Sequence, residues 1–452
     1  MRRVSSLITM LFAGLQLALC LLFSQGAVSP FYFAGIELTL LYLMFFIIKP
    51  KAALMAFLFA RPLLDYLKPF SDIQLEVYSS INLAALSTLL ILACGIFYIL
   101  IHKINPFRLP LVRPFSVFVL ICLFTLPFSS MKVEGLSDWL RLASLLVFYI
   151  LILSMFDNMR DIKILTGVIF FSALLPLAGG FYQALTRTGY AELIGYYNSV
   201  TFHRIFATFT HPNIYAFYLT MLLPMAIVLF LRASARAERI FLGWLIAAMG
   251  LSLILTFTRG AWISFTCAII TIGFLRSKKA AIAVTLALIV MALLMPSVAL
   301  RFSDLSGSTY DGTDSLRWRL NLWRQTFSYF SSRPVFGYGL GSFYALSSAA
   351  SREYAPAHND YLKLALETGI AGLGAYIILL FLLTRNAFSL LKKLRLPYSR
   401  AIALGFFSLC VTYILIGMAD NLMRSTVVQL YFWTFAAIAF NLREAERRIA
   451  VQ

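Results

Sequence analysis

The chain has 452 residues, 61% of them hydrophobic and only 13% charged, with a mean hydropathy of +0.85 and a formal charge of +19. A soluble domain carries about a quarter charged residues, so this composition excludes a water-soluble enzyme. It also excludes a disordered chain, which needs low hydrophobicity and high charge.

Apolar runs follow one another along the sequence at 5–23, 31–48, 51–64, 80–101, 114–128, 139–156, 162–185, 213–231, 239–257, 260–275, 280–299, 366–384, 401–418 and 424–441. Each crossing of ~30 Å of hydrocarbon takes about 20 residues. The fold class expected is therefore all-α: a polytopic integral membrane helical bundle of 12–14 transmembrane helices, with one large extracytoplasmic loop containing short helices. The first run resembles a signal peptide, but Gln25 stands where a small residue is wanted and Leu19 spoils a lipoprotein box before Cys20, so it reads as an uncleaved helix. The run 51–64 is short and reads as a partial or tilted helix. Cys20, Cys94, Cys122, Cys267 and Cys410 all lie in apolar runs without metal-binding spacing and read as small buried hydrophobes.

Alternate connections carry opposite charge. Arg2 and Arg3, the segment at 49–51, the loop 102–113, residues 157–163, 232–239 and 276–279, the loop 385–400 and the tail from Arg443 hold 23 of the 38 cations but only 5 of the 19 acids. Cytoplasmic loops accumulate Lys and Arg. Both termini are therefore expected in the cytoplasm, and the basic balance reads as topology, with no nucleic-acid partner implied. No internal repeat suggests a transporter of inverted halves.

Two segments on the other side are long: Thr186–Pro212 and Arg301–Ala365. The second is too large for simple connection. It opens on a Gly, Ser and Asp-rich turn region and continues as "LRWRLNLWRQTFSYF", where Leu316, Leu320, Trp323, Phe327 and Phe330 recur at helical spacing while Arg317 and Arg324 fall elsewhere. Such a helix suits the headgroup boundary. In "RPVFGYGLGSF", Gly337, Gly339 and Gly341 make a tight turn; without a lysine or a preceding strand it does not amount to a phosphate loop. Four regions follow: N-terminal transmembrane helices over 1–185, helices with an outer loop over 186–300, the large loop over 301–365, and C-terminal helices with a cytoplasmic tail over 366–452.

The segment "APAHNDYLKLALETGIAGLG", with His358, Asn359, Asp360, Tyr361 and Leu362 followed by Glu367, Thr368 and Gly369, resembles the signature of the O-antigen ligase and polymerase superfamily. The resemblance extends to "RIFATFTHPN" from Arg204 to Asn213, to "TRGAW" at Arg259 and to the glycine turn, covering roughly 200–442 in order. It implies a bacterial inner-membrane glycosyltransferase that moves a glycan from undecaprenyl diphosphate to an acceptor hydroxyl on the periplasmic face. The implied acceptor is lipid A-core for a ligase, or a growing glycan for a polymerase. A transporter is a different class, for which Glu37, placed inside a run, is the one acid that could serve a path; a scaffold with a degenerate site is another.

With a diphosphate already the leaving group, the implied reaction needs cations for phosphate charge and a base for the hydroxyl proton, and no cofactor or metal. Arg204 and Arg259 fit the cation role, since a guanidinium stays charged and grips phosphate oxygens bidentately. His358 fits the base, histidine being the side chain that exchanges protons near neutrality; ahead of Asn359 and Asp360 it also fits a helix cap. Weaker candidates for holding diphosphate or glycan are His211 and Asn213, which also read as a cap with Pro212 at the first turn, then Arg317, Arg319, Arg324, Asn359, Tyr361 and Glu367. Glu367 lies nine residues beyond His358, about two and a half helical turns.

Overall fold

The structure, a computed structural model, describes residues 16, 30–68, 73–74, 80–189, 191–194, 201–276, 279, 282, 286, 315–351 and 355–451. The chain divides into two compact units, Met1–Phe59 and Ala60–Gln452. The first contains α1 (Pro30–Ile48) and the beginning of α2 (Pro50–Leu64). Tyr42 Oη donates to the Ala53 carbonyl there, and Glu37 accepts a 3.4 Å hydrogen bond from Gln16.

The second unit takes up the chain within α2, whose last turn pairs Arg61 with Asp65 at 2.8 Å. A short antiparallel hairpin follows, β1 (Ile73–Gln74) with β2 (Ser80–Ile81). Next come α3 (Leu83–Ile101), α4 (Val112–Thr125), α5 (Lys132–Met155), α6 (Met159–Ser172) and α7 (Leu174–Thr186). A second hairpin joins β3 (Ala191–Ile194) to β4 (Thr201–Arg204), with Ala191 opposite Arg204. Helices α8 (Pro212–Arg232), α9 (Arg236–Leu255) and α10 (Arg259–Arg276) complete the middle of the chain. The long connection contains α11 (Ser315–Phe327), a 3-10 turn at Ser328–Ser332 and α12 (Phe343–Ser351). Then come α13 (Asp360–Lys393), α14 (Pro397–Ala419), a 3-10 turn at Leu422–Arg424 and α15 (Thr426–Val451).

This is a polytopic helical membrane protein, as its composition requires. Among the described residues, seven stretches are long and apolar enough to cross a bilayer: α3, α5, α6 with α7, α8, α9, α13 and α14. Segments Gly35–Ile48 and Val112–Phe128 are shorter apolar helices. The apolar runs 5–23 and 280–299 lie, but for single positions, outside the described residues, as does the turn-rich stretch before Ser315. The expected short run at 51–64 is a 15-residue helix, and the long connection holds the expected short helices.

The interior is built on helices that are apolar all round. Every residue from Tyr215 to Ala226 in α8 and from Val427 to Ala439 in α15 is buried. Asn441, at the far end of this core, spends its amide on the last carbonyls of α5, donating to Leu153 at 3.0 Å and Phe156 at 2.9 Å. Cys94, Cys122 and Cys410 are buried, and Cys267 is half-buried.

Two local devices set the position of the polar end of the bundle. At 34 residues, α13 is longer than ~30 Å of hydrocarbon requires. It kinks at Gly369, where φ is 63°. The amides freed by the kink are not left bare: Ile370 donates to the Pro334 carbonyl at 2.8 Å and Ala371 to that of Val335 at 3.1 Å. The glycine turn thus packs on α13, with Tyr338 N–H on Leu366 O and Gly339 N–H on Glu367 O. On its other side a Cβ at Gly339 would fall 2.2 Å from the Ser129 nitrogen, and one at Gly341 2.4 Å from that of Gly135. These glycines permit a close backbone approach, which is the structural reading of the motif.

Candidate active site

Helix starts deliver most of the singled-out polar residues to one place. Asn359 caps α13, its Oδ1 accepting from the amides of Tyr361 and Leu362, both at 3.0 Å. His211 caps α8, Nδ1 accepting from the Asn213 amide at 3.0 Å, with Pro212 in the first turn. The capping reading of His211 holds, whereas at α13 the cap is Asn359 and not His358 before it; the caps fix where the neighbouring side chains go.

His358 sits one residue before the Asn359 cap with φ 48°, a left-handed conformation uncommon for a side chain of this size. Its Nδ1 donates to Asp420 Oδ1 at 2.9 Å, and its ring meets Trp318 edge-on at 6.2 Å between centroids. The preceding carbonyl, Ala357 O, is held by Trp323 Nε1 at 2.7 Å. Asp420 terminates α14; its second oxygen accepts from Asn213 Nδ2 at 2.6 Å, and the Asn421 amide adds a bond to the first. Asn213 in turn accepts from Arg204 at 2.7 Å. A continuous chain of hydrogen bonds therefore runs Arg204, Asn213, Asp420, His358.

Arg204 is buried, and its donors are committed to protein: Nε to the Thr256 carbonyl at 2.8 Å, and one terminal nitrogen to Asn213 and to Thr258 Oγ1. Its place is that of a strut between the end of α9 and the start of α8. Arg259 opens α10 next to Thr258, and the adjoining Gly260 packs toward Ala419, where an added Cβ would lie 3.6 Å from that alanine's own. Arg319 reaches the same alanine, donating to its carbonyl at 2.6 Å.

Charge follows from this crowding. Burial opposes ionisation of Asp420, but the His358 hydrogen bond and the charges of His358 and Arg319 hold its carboxyl well below the usual carboxylate range. His211 moves the other way for a histidine. Its edge reaches solvent, yet loss of hydration, then the Arg204 charge, lower its pKa to about 4, with Asp420 opposing. At neutral pH His211 is therefore neutral, as its acceptor role at the cap requires.

Asp420 escaped the sequence reading. It lies 62 residues from His358 and belongs to no motif that was read. The available signal was an acid at the very end of an apolar run, where a charge is expensive unless partnered.

The remaining candidates go elsewhere. Tyr361 donates from its hydroxyl to the Ile414 carbonyl at 3.1 Å. Arg324 is exposed on α11; Arg317 lies on the same helix, its side chain outside the described residues. Glu367 belongs to a second cluster. It accepts from Lys363 Nζ at 2.9 Å and from the Phe343 amide at 3.1 Å, and Lys363 also holds Asp138 at 2.7 Å. Arg424 bonds Glu134 at 2.7 Å, approaches Asp138 at 3.4 Å and donates to Tyr344, while Arg141 pairs with Asp138. Asp360, wholly buried, accepts from the Met423 amide at 3.0 Å.

A cavity of about 460 Å³ lies against the second cluster, whose Arg141 and Arg424 line it. Its walls include Thr210 and Ile214, which flank His211 and Asn213 in the chain, and Arg424–Val427, which follow Asp420. Arg61, Lys68 and Arg141 contribute cations, and Leu89, Val133, Leu136 and Leu140 an apolar side. Among the described residues, no three His, Cys, Asp or Glu side chains gather so as to hold a metal ion.

Residues 244–377 match the family model described as O-antigen ligase. Over that segment the chain is similar to the O-antigen ligase and polymerase superfamily. Members of that superfamily are glycosyltransferase-like enzymes with lipid-linked glycan and acceptor partners. The matched superfamily segment contains Arg259, Arg319 and His358, whereas Arg204, His211, Asn213 and Asp420 lie outside it. None of the curated proteins matches the chain.

Proposed function

We propose that this protein transfers a glycan from undecaprenyl diphosphate to an acceptor hydroxyl, as an O-antigen ligase acting on lipid A-core. The observation that carries the reading is the His358 to Asp420 hydrogen bond at 2.9 Å. With Nδ1–H donated to a carboxylate, the lone pair of neutral His358 is on Nε2, and a base is oriented toward a substrate rather than tied to protein. Asp420 fixes the tautomer and steadies the imidazolium that forms.

In the proposed step the acceptor oxygen attacks the anomeric carbon of the donor. The bond from that carbon to the diphosphate oxygen breaks, undecaprenyl diphosphate leaves with the electron pair, and the hydroxyl proton passes to His358 Nε2. Arg259 and Arg319 supply positive charge where the diphosphate charge develops. Arg204 acts through Asn213 on Asp420 and is a positioning residue. The cavity, with cations on one side and leucines on the other, suits a diphosphate headgroup entering with its lipid tail. The chemistry as written calls on no metal or other cofactor.

The loop charge asymmetry supports cytoplasmic termini with this cluster at the opposite side, and the family resemblance supports a bacterial inner membrane, which makes that side periplasmic. The test is reconstitution in liposomes with undecaprenyl-diphosphate glycan, with and without lipid A-core, read by gel mobility. Glycan joined to lipid A-core is the expected product. A ladder of lengthening lipid-linked chains would replace the ligase by a polymerase, and no product in either mixture would overturn the reaction.

A further inference from the structure

The tip of the glycine turn presents apolar side chains outward. Val335 is 55% exposed and Phe336 44%, although every glycine behind them is pressed against backbone. Phe336 is not isolated: its ring lies 5.2 Å from that of Phe124, the penultimate residue of α4. Phe124, Phe128 and, across the tip, Ile370 are themselves half or more exposed.

This patch continues an existing one. Along α4, Val117 and Leu120 are exposed below Phe124, and along α13, Ile377 and Phe381 are exposed beyond Ile370. In a membrane protein such outward apolar stripes on spanning helices face acyl chains. The tip joins the two stripes at their common end. Its level is set by the α13 kink, because the roughly 20 residues that follow Gly369 are what ~30 Å of hydrocarbon needs. Cations border the patch: Arg333 is exposed and lies over the Tyr338 ring at 4.8 Å, and Lys132 is exposed at the start of α5. Apolar residues below a fringe of Arg, Lys and Tyr match the chemistry of a headgroup boundary.

We propose that Val335 and Phe336 form a wedge that inserts into the phospholipid interface between the ends of α4 and α13. The wedge is fastened to α13 by the bonds from Ile370 and Ala371, and the turn behind it by those to Leu366 and Glu367. Its depth therefore sets the height above the bilayer of the first turns of α13, and with them of His358. The inference concerns lipid contact and does not depend on the proposed reaction.

The experiment places photoreactive benzoylphenylalanine at one position of the full chain, reconstituted in phosphatidylethanolamine and phosphatidylglycerol vesicles, and reads phospholipid adducts by mass spectrometry. Phe336→benzoylphenylalanine should give adducts on the order of tenfold above an Arg447 substitution in the tail, and comparable to Leu120 on the exposed face of α4. The same substitution at Val335 repeats the test if the first fails to insert. Yields at both positions no higher than at Arg447, or adducts to protein in place of lipid, would overturn the wedge.

Discussion

Two charge clusters share the first turns of α13, and they are built in opposite ways. Around Lys363 the signs balance: Lys363, Arg141 and Arg424 face Glu134, Asp138 and Glu367, and the acids are almost wholly buried. Around His358 the arrangement is more open: Asp420 meets His358 directly and Arg204 through Asn213, Arg319 acts on its charge, and the His358 side chain remains 23% accessible. A closed neutral set stabilises a fold; a set with an accessible histidine leaves a proton acceptor within reach of a substrate. Under the proposed function the first is structure and the second chemistry.

The comparison breaks most visibly at the open cluster. His358→Ala and Arg259→Ala are each expected to lower transfer by about 10²–10⁴-fold, with insertion and expression unchanged, in the vesicle assay. Near-normal activity in either variant would remove that residue from the site. Asp420→Asn keeps a hydrogen-bond acceptor but not the charge, so a fall in kcat on the order of 10² with KM little changed is expected. An effect on KM alone would make Asp420 a binding group.

The closed cluster should respond in stability. Lys363→Met strands two buried carboxylates and is expected to cost about 3–5 kcal/mol, seen as a lowered thermal midpoint in detergent. If the midpoint held and only turnover fell, the division between the clusters would be wrong. The smallest effect concerns pH. His211 has its pKa lowered to about 4, so the unfolded chain binds the proton more tightly than the native one. Its contribution to stability is complete above the ordinary histidine range and is lost as pH falls toward 4. His211→Asn retains a cap and should flatten that part of the stability curve.

Much of this organisation was legible in the sequence, for reasons that differ by residue. Hydropathy found the spanning helices because bilayer thickness dictates their length, and Asn359 and His211 were legible because caps are local. From the sequence Glu367 reads as either a partner of His358 or a packing residue, and the structure sets it against Lys363. Two and a half turns carry a side chain to the opposite side of a helix, and there it meets Lys363. Arg204 was legible as an important charge but not as a strut, since its partners Thr256, Thr258 and Asn213 come from two other elements. Asp420 was not legible at all, because a pairing across 62 residues is decided by packing.

The backbone at His358 adds a last consequence. At φ 48° the position already has the torsion that glycine adopts without penalty. His358→Gly should therefore be tolerated by the loop while leaving a ring-sized vacancy between Trp318 and Asp420. Dissolved imidazole is the right shape to occupy it, so a base lost from the polypeptide could be returned from the buffer.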